Sequence, residues 1–350
     1  MSNSHTPPLK LIVGPCSAET EEQVITTAQA IASKYPHAIF RAGIWKPRTR
    51  PNAFEGIGEE GLPWLKKVKE LTGMRTATEV ANARHVEACL EQGVDVLWIG
   101  ARTTVNPFSV QEIAVALKGV NIPVLVKNPV NAELSLWLGA IERLDLQGIK
   151  DIHAVHRGFH TSEKQAFRND PKWDLAIELR LRAPQLPMIC DPSHICGNKE
   201  LIPYVAQKAL DLGMNGLMIE SHINPEMAWS DAFQQLTPLA LEELLDNLKV
   251  RRPELPAPEN GKELSALRSS INKADEELLQ VLFRRMQYAM EIGEYKKKHN
   301  LTILQVNRWE EVLRDRVGIA QAMGLNRTFV KEMYNLIHEE SIRKQSEVMN

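Results

Sequence analysis

The chain has 350 residues, 43% of them hydrophobic and 25% charged, with a formal net charge of −2. This balance is ordinary for a soluble globular protein and excludes the strongly basic surface that would attract nucleic acid or an anionic membrane. No apolar run reaches the roughly 18 residues of a membrane span, the start MSNSHTPPLK lacks the build of a signal peptide, and four cysteines (Cys16, Cys89, Cys190, Cys196) do not make a disulfide framework. A cytoplasmic protein is expected.

At roughly 100–200 residues per domain, two domains are the natural expectation. From residue 9 to about 249, eight short apolar or β-branched runs succeed one another: LKLIVGPC (9–16), AIFRAG (38–43), MRTATE (74–79), VDVLWIGA (94–101), PVLVKNP (123–129), IHAVHRG (152–158), PMICDPSH (187–194) and GLMIESH (216–222). Each is too short for a typical helix and is followed by residues with helical spacing, such as EEQVITTAQAIASK (21–34). Strand–helix alternation implies parallel pairing, because parallel neighbours need a crossover. Eight such units in this length predict a closed (β/α)8 barrel, the TIM-barrel class, over residues 1–250, with an open doubly wound sheet as the alternative.

The segment 251–261, rich in proline, reads as a linker. Beyond it the strand signal stops. Leu264, Leu267, Ile271, Ala274, Leu278, Leu282 and Phe283 recur at three- and four-residue steps, predicting a long helix over about 262–298 with a buried stripe. Two shorter helices are expected at 305–321 and 326–347. Three helices over 262–350 make a thin core for a monomer, so this segment is expected to dimerise.

In such barrels the chemistry sits at the C-terminal ends of the strands. Here those positions carry Cys16, Arg41, Thr78 with Glu79, Arg102, Lys127, Arg157, Asp191 with His194, and Glu220. The following loops add Lys46, Arg48 and Asp231. Cys16, His194, Glu220 and Asp231 form a mixed sulfur, nitrogen and oxygen set suited to a divalent first-row metal. Cys190 and Cys196 flank the same loop and offer a rival assignment. The cations Arg41, Lys46, Arg48, Arg102, Lys127 and Arg157 would repel one another if empty, which implies anionic substrates bearing phosphate or carboxylate groups. Metal with phosphate binding leaves an aldolase, a phosphatase or an isomerase open.

The motifs GPCS (14–17), RAGIWKPRT (41–49), FEGIGEEGL (54–62), IGART (99–103), VKNP (126–129), HRGF (156–159), DPSHICG (191–197), IESHINP (219–225) and WSDAFQQL (229–236) resemble DAHP synthase of the type I beta branch, in the right order over about residues 9–250. The resemblance implies condensation of phosphoenolpyruvate with erythrose 4-phosphate to DAHP and phosphate on a metal-dependent barrel. It implies one divalent metal on Cys16, His194, Glu220 and Asp231: manganese first, with cobalt, iron, zinc or cadmium as alternatives. By motif position it assigns Arg41, Arg102, Lys127, Arg157 and the Gly100–Ala101 backbone to phosphoenolpyruvate. Arg48 and Thr49 go to the erythrose phosphate, and Lys46 to a place beside both substrates. Lys46 is the expected proton donor to the aldehyde oxygen, with a pKa lowered by the surrounding cations. With no domain before the first strand, the short catalytic form is implied. A sugar-acid synthase of related chemistry is a further reading, against which the KPRT motif speaks.

The tail has a resemblance of its own. Residues 264–298, NRWEEVL (307–313) and EESIRKQ (339–345) are similar to the three helices of an AroQ-type chorismate mutase. That likeness implies rearrangement of chorismate to prephenate without a cofactor, in a homodimer. It assigns Arg268, from the neighbouring subunit, and Arg285 to the substrate carboxylates. Lys296 and Gln345 fall at the ether oxygen, and Arg308 and Ser341 on the pocket wall. Arg268, Arg285 and Lys296 are read onto one helix face. The sequence departs from the family at Gln305 and Trp309, where many relatives carry carboxylates, and Glu310 is a doubtful substitute. The alternative is a regulatory module that senses chorismate or prephenate, with prephenate as feedback effector on the barrel.

Overall fold

A computed structural model describes residues 9–47, 53–162, 166–251 and 258–349. The chain divides into two compact units, Met1–Pro253 and Glu254–Asn350. In the first, eight strands close into a barrel in sequence order: β1 (Lys10–Gly14), β2 (Ile39–Arg41), β3 (Arg75–Val80), β4 (Val96–Ile99), β5 (Val124–Lys127), β6 (Ile152–His156), β7 (Met188–Cys190) and β8 (Gly216–Glu220). All neighbours pair in parallel, and β8 returns to β1 with Glu220 opposite Gly14. Closure eliminates the open-sheet alternative.

Each strand is buried on both faces, which explains the continuous apolar runs. Ile12, Ile39, Ala77, Val96, Trp98, Leu125, Val155, Ile189 and Met218 fill the barrel interior. Residues between them, such as Val13, Phe40, Leu97 and Val126, face the surrounding helices. The helices begin where polar side chains can satisfy their first amides: Thr20 accepts from Gln23 N, Asn82 from His85 N and Thr237 from Ala240 N. Gly14 ends β1 at φ 145°, where a Cβ would stand 2.2 Å from the Arg41 carbonyl oxygen. Only glycine lets the two strand ends carrying Cys16 and Arg41 come this close.

The second unit consists of three helices: Pro258–Lys298, Val306–Ala322 and Arg327–Met349. The first starts four residues earlier than the spacing predicts, with Pro258 at its beginning, where a proline costs no hydrogen bond. Gly293 lets the first helix approach the third; a Cβ there would lie 3.1 Å from Gln345 Cα. The expected stripe is not covered within one chain. Leu267, Ile271, Leu278 and Phe283 are 58%, 60%, 50% and 65% exposed. Three helices cannot bury both sides of a helix this long, so its N-terminal half stands free of the other two. Among the described residues, no helix is long and apolar enough to cross a membrane.

Candidate active sites

The C-terminal end of the barrel gathers the expected donor set from three directions. Cys16 follows β1, Glu220 ends β8, His194 sits in the short helix Pro192–Cys196 after β7, and Asp231 lies in the loop after β8 with φ 48°. Cys16 Sγ donates to Asp231 Oδ2 at 3.3 Å, and His194 Nε2 stands 3.7 Å from Glu220 Oε1. The four side chains therefore meet at one end of the barrel, in two pairs. Among the described residues, no three His, Cys, Asp or Glu groups close around a single point. Each donor is instead engaged by another group. Lys46 Nζ donates to Cys16 Sγ at 2.9 Å, and Arg168 Nη1 to Asp231 Oδ1 at 2.9 Å. Arg41 Nη2 and Gln234 Nε2 donate to the two oxygens of Glu220 at 3.1 and 2.6 Å. His194 Nδ1 lies 2.8 Å from Asp191 Oδ2, which also accepts from Lys127 Nζ at 2.8 Å. A thiol, an imidazole and two carboxylates are donor types that suit a divalent first-row ion.

The charge states follow from burial and neighbours. Burial, with the Glu220 charge adding to it, pushes the Cys16 thiol up to about 12. Burial works to raise the Glu220 carboxyl, yet His194, Arg41 and Lys46 together hold it below the ordinary glutamate value. Lys46 corrects the expectation of a lowered pKa. Burial does push it down, but the Cys16 sulfur and Glu220 outweigh burial and the nearby Arg41, and its pKa is raised.

Above these groups lies a cavity of about 500 Å³, walled by Lys46, Arg102, Lys127, Arg157 and Arg168 against Glu79 and Asp231. Arg41 lies beneath it, 1% exposed, with its guanidinium 4.9 Å over the Trp98 ring. The Gly100–Ala101 backbone lines the cavity where β4 turns into the helix Ala101–Thr104. A Cβ on Gly100 would strike Glu79 Oε1 at 2.1 Å, and Glu79 is held by Trp98 Nε1 at 2.9 Å. Arg48 and Thr49 lie outside the described residues. The rival cysteines are removed from the mouth: Cys190 and Cys196 are 0% and 2% exposed within the apolar layer between strands and helices.

Sequence reading missed Arg168, Asn169 and Gln234. Arg168 bridges Asp231 and Gln234 Oε1 (2.8 Å), while Asn169 accepts from Arg157 Nη1 at 3.0 Å and donates to the His194 carbonyl at 2.6 Å. Gln234 was in view within WSDAFQQL. Arg168 and Asn169 stand in an irregular segment after β6 with no pattern to mark them.

In the helical unit a second cavity of about 300 Å³ is lined by Arg285, Lys296, Arg308, Ser341 and Gln345, with Gln305, Trp309 and His338. Lys296 Nζ donates to Gln345 Oε1 at 3.0 Å and to the Ile303 carbonyl at 2.5 Å, while Arg285 Nη1 donates to Ser341 Oγ. No carboxylate lines the cavity among the described residues; Glu310 is exposed and stands outside it. Arg268 is exposed and does not line it either. The shared-face expectation holds for Arg285 and Lys296 and fails for Arg268. Seventeen steps at about 100° fall roughly 100° short of five whole turns, so Arg268 points well away from the other two.

A parallel barrel whose mouth joins a soft-and-hard donor set to a ring of cations has the build of an enzyme site, and its cations suit anionic groups. The chain belongs to the DAHP synthetase I family, whose model matches residues 3–254, and residues 267–346 match chorismate mutase type II. Both are families of enzymes of the shikimate pathway. The phospho-2-dehydro-3-deoxyheptonate aldolase of Thermotoga maritima is 33% identical over 239 residues, covering 68% of each chain. A 2-dehydro-3-deoxyphosphooctonate aldolase of Legionella pneumophila is 28% identical, covering 69% of this chain and 91% of its own. The crystal structure of the Thermotoga maritima DAHP synthase aligns with a TM-score of 0.60 at 30% identity, over 68% of this chain and 67% of that one.

Proposed function

We propose that the barrel condenses phosphoenolpyruvate with erythrose 4-phosphate to give DAHP and phosphate, and that the helical unit rearranges chorismate to prephenate. The observation that carries the first reading is the meeting of Cys16, His194, Glu220 and Asp231 directly beneath a cavity walled by five cations. Phosphoenolpyruvate is held by Arg41, Arg102, Lys127, Arg157 and the Gly100–Ala101 backbone, and the erythrose phosphate by Arg48 and Thr49. A divalent metal held by the four donors, manganese first, would supply Lewis-acid polarisation of the aldehyde oxygen. C3 of phosphoenolpyruvate is itself the nucleophile, so the protein supplies none. Lys46, with its raised pKa, is an ammonium at neutral pH and donates a proton to the aldehyde oxygen as the C–C bond forms. Water adds at C2, and the hemiketal phosphate breaks its C–O bond to release phosphate toward the arginines. Most of what the cations contribute is orientation, which can lower a barrier by several kcal/mol.

The chorismate reading rests on the pairing of Lys296 with Gln345 beside Arg285 in one cavity. A unimolecular rearrangement needs a compact conformer and donors at the ether oxygen where charge develops. Arg268 serves the cavity of a second copy of this chain, and the open apolar residues Leu267, Ile271 and Phe283 support a homodimer through this helix.

A paired assay tests both halves. Loss of phosphoenolpyruvate with erythrose 4-phosphate, and loss of chorismate, are each followed with and without a chelator. Synthase activity should vanish in chelator while chorismate turnover persists. Synthase activity that survives exhaustive chelation sinks the metal assignment. A tail that only senses chorismate or prephenate would bind them without turnover, and prephenate would then lower the synthase rate.

A further inference from the structure

The wall of the helical cavity carries a histidine that the chorismate reading does not use. His338, on the third helix, lies flat on Trp309 of the second, with ring centroids 3.8 Å apart and planes within 6°. Both rings line the cavity. Several polar side chains around it are bonded to one another or to backbone: Lys296 to Gln345 and the Ile303 carbonyl, Arg285 to Ser341, and Gln345 Nε2 to the Ser341 carbonyl at 3.3 Å. Arg308 is paired with Glu311 at 2.6 Å. His338 Nε2 is different. It is buried and has no hydrogen-bond partner within the described protein. A buried ring nitrogen of this kind normally finds one. The stack on Trp309 fixes the plane of the imidazole, so the nitrogen keeps its direction without a bond to hold it.

The geometry points to His338 as a substrate-contacting residue of the mutase cavity, giving a hydrogen bond from Nε2 to an oxygen of a bound dicarboxylate while Trp309 holds its ring. The assignment rests on the chorismate reading above. It also accounts for the departure at Trp309: the indole occupies the wall where relatives carry a carboxylate, and the polar contact moves across to the third helix. Burial, with the charges of Arg285 and Lys296 beside it, holds the His338 pKa below the ordinary histidine value. The ring is therefore neutral at physiological pH, with one nitrogen able to donate. An imidazole among three cations adds a directed contact to the anion without adding a fourth like charge.

The experiment uses the full chain and chorismate as the probe, with turnover measured by steady-state kinetics and prephenate binding by calorimetry. His338→Phe keeps a ring on Trp309 and removes Nε2; His338→Gln restores a donor. Loss of one hydrogen bond to a charged group is of the order of a tenfold change or more in kcat/KM. The Phe variant should show that loss and a matching weakening of prephenate binding. The Gln variant should recover most of both, with helical circular dichroism unchanged in each. A wild-type chain that acts on chorismate while the Phe variant matches it overturns the assignment alone. Equal losses in the Phe and Gln variants, with equally lowered melting temperatures, overturn it in favour of a packing role. A wild-type chain that neither binds prephenate nor converts chorismate overturns the mutase reading and this assignment with it.

Discussion

Lys46 places its ammonium 2.9 Å from the Cys16 sulfur while the same thiol donates to Asp231. One lysine thus links the donor set beneath the barrel mouth to the anion cavity above. Removing it separates the two functions. Lys46→Met should cut the synthase rate by about 10²–10⁴-fold, the range of a lost general acid. Divalent metal should bind at least as tightly as in the wild type, because a like charge has left the neighbourhood of the ligands. Metal content by atomic absorption alongside the synthase assay decides it. If metal and activity are lost together, Lys46 is a structural prop for the donors.

Arg41 and Glu220 form an ion pair with side chains 1% and 0% exposed. Among the described residues Arg41 Nε and Nη1 have no hydrogen-bond partner, which leaves both nitrogens for an anion. Breaking a buried pair from one side strands the other charge, at about 3–5 kcal/mol. Arg41→Met should lower stability by that order in denaturant titration and abolish synthase turnover. Arg41→Lys should keep part of the stability and little of the activity, since a lysine lacks the flat guanidinium that lies over Trp98. A fully active Lys variant would refute a guanidinium-specific role.

His156 is 0% exposed among Trp137, Phe159 and Trp173, and burial lowers its pKa to about 4. Its folded value lies below the unfolded value of about 6.5, so the stability it contributes is fully present above pH 6.5. As pH falls from 6.5 to 4 the unfolded chain takes a proton that the folded barrel refuses, and stability declines by about 3 kcal/mol in all. Below pH 4 both states are protonated and the decline from this residue stops. His156→Phe should flatten the difference between denaturation midpoints at pH 7 and pH 4.5. An unchanged difference would show that the ring does not stay neutral in the folded state.

The barrel strands were legible because each is covered on two faces, so that VLWI (96–99) and VLVK (124–127) read as unbroken apolar runs ending in a turn or a charge. Their ends were legible for the same reason: a lysine or glutamate closing such a run has little to do in a core. Arg168 was not legible. It meets Asp231 from 63 positions away, out of a segment with neither strand nor helix period, and only closure of the barrel brings the two together. The Lys46 pKa was misjudged because counting cations ignores distance. Several surround the mouth, but the sulfur and the Glu220 charge are the neighbours that prevail. In the helical unit the stripe was read as apolar, and one chain leaves it open, since periodicity reports which face wants burial and not which chain supplies the cover.

Whether a second copy supplies it can be tested through Arg268, which is exposed and outside its own chain's cavity, and Arg285, which lines that cavity. If each cavity takes Arg285 from one chain and Arg268 from its partner, Arg268→Ala and Arg285→Ala should each lose nearly all chorismate turnover. A heterodimer of the two variants holds one cavity with both arginines intact and one with neither. Random exchange of equal amounts makes half the dimers mixed, so the mixture should regain about a quarter of wild-type turnover. The regain should follow the time course of subunit exchange and vanish when Ile271→Glu, which puts a charge on the 60%-exposed apolar face, is built into both partners. A mixture as inactive as its parents, in a chain shown to be dimeric, would mean that each cavity works with the residues of one chain and that Arg268 serves another purpose.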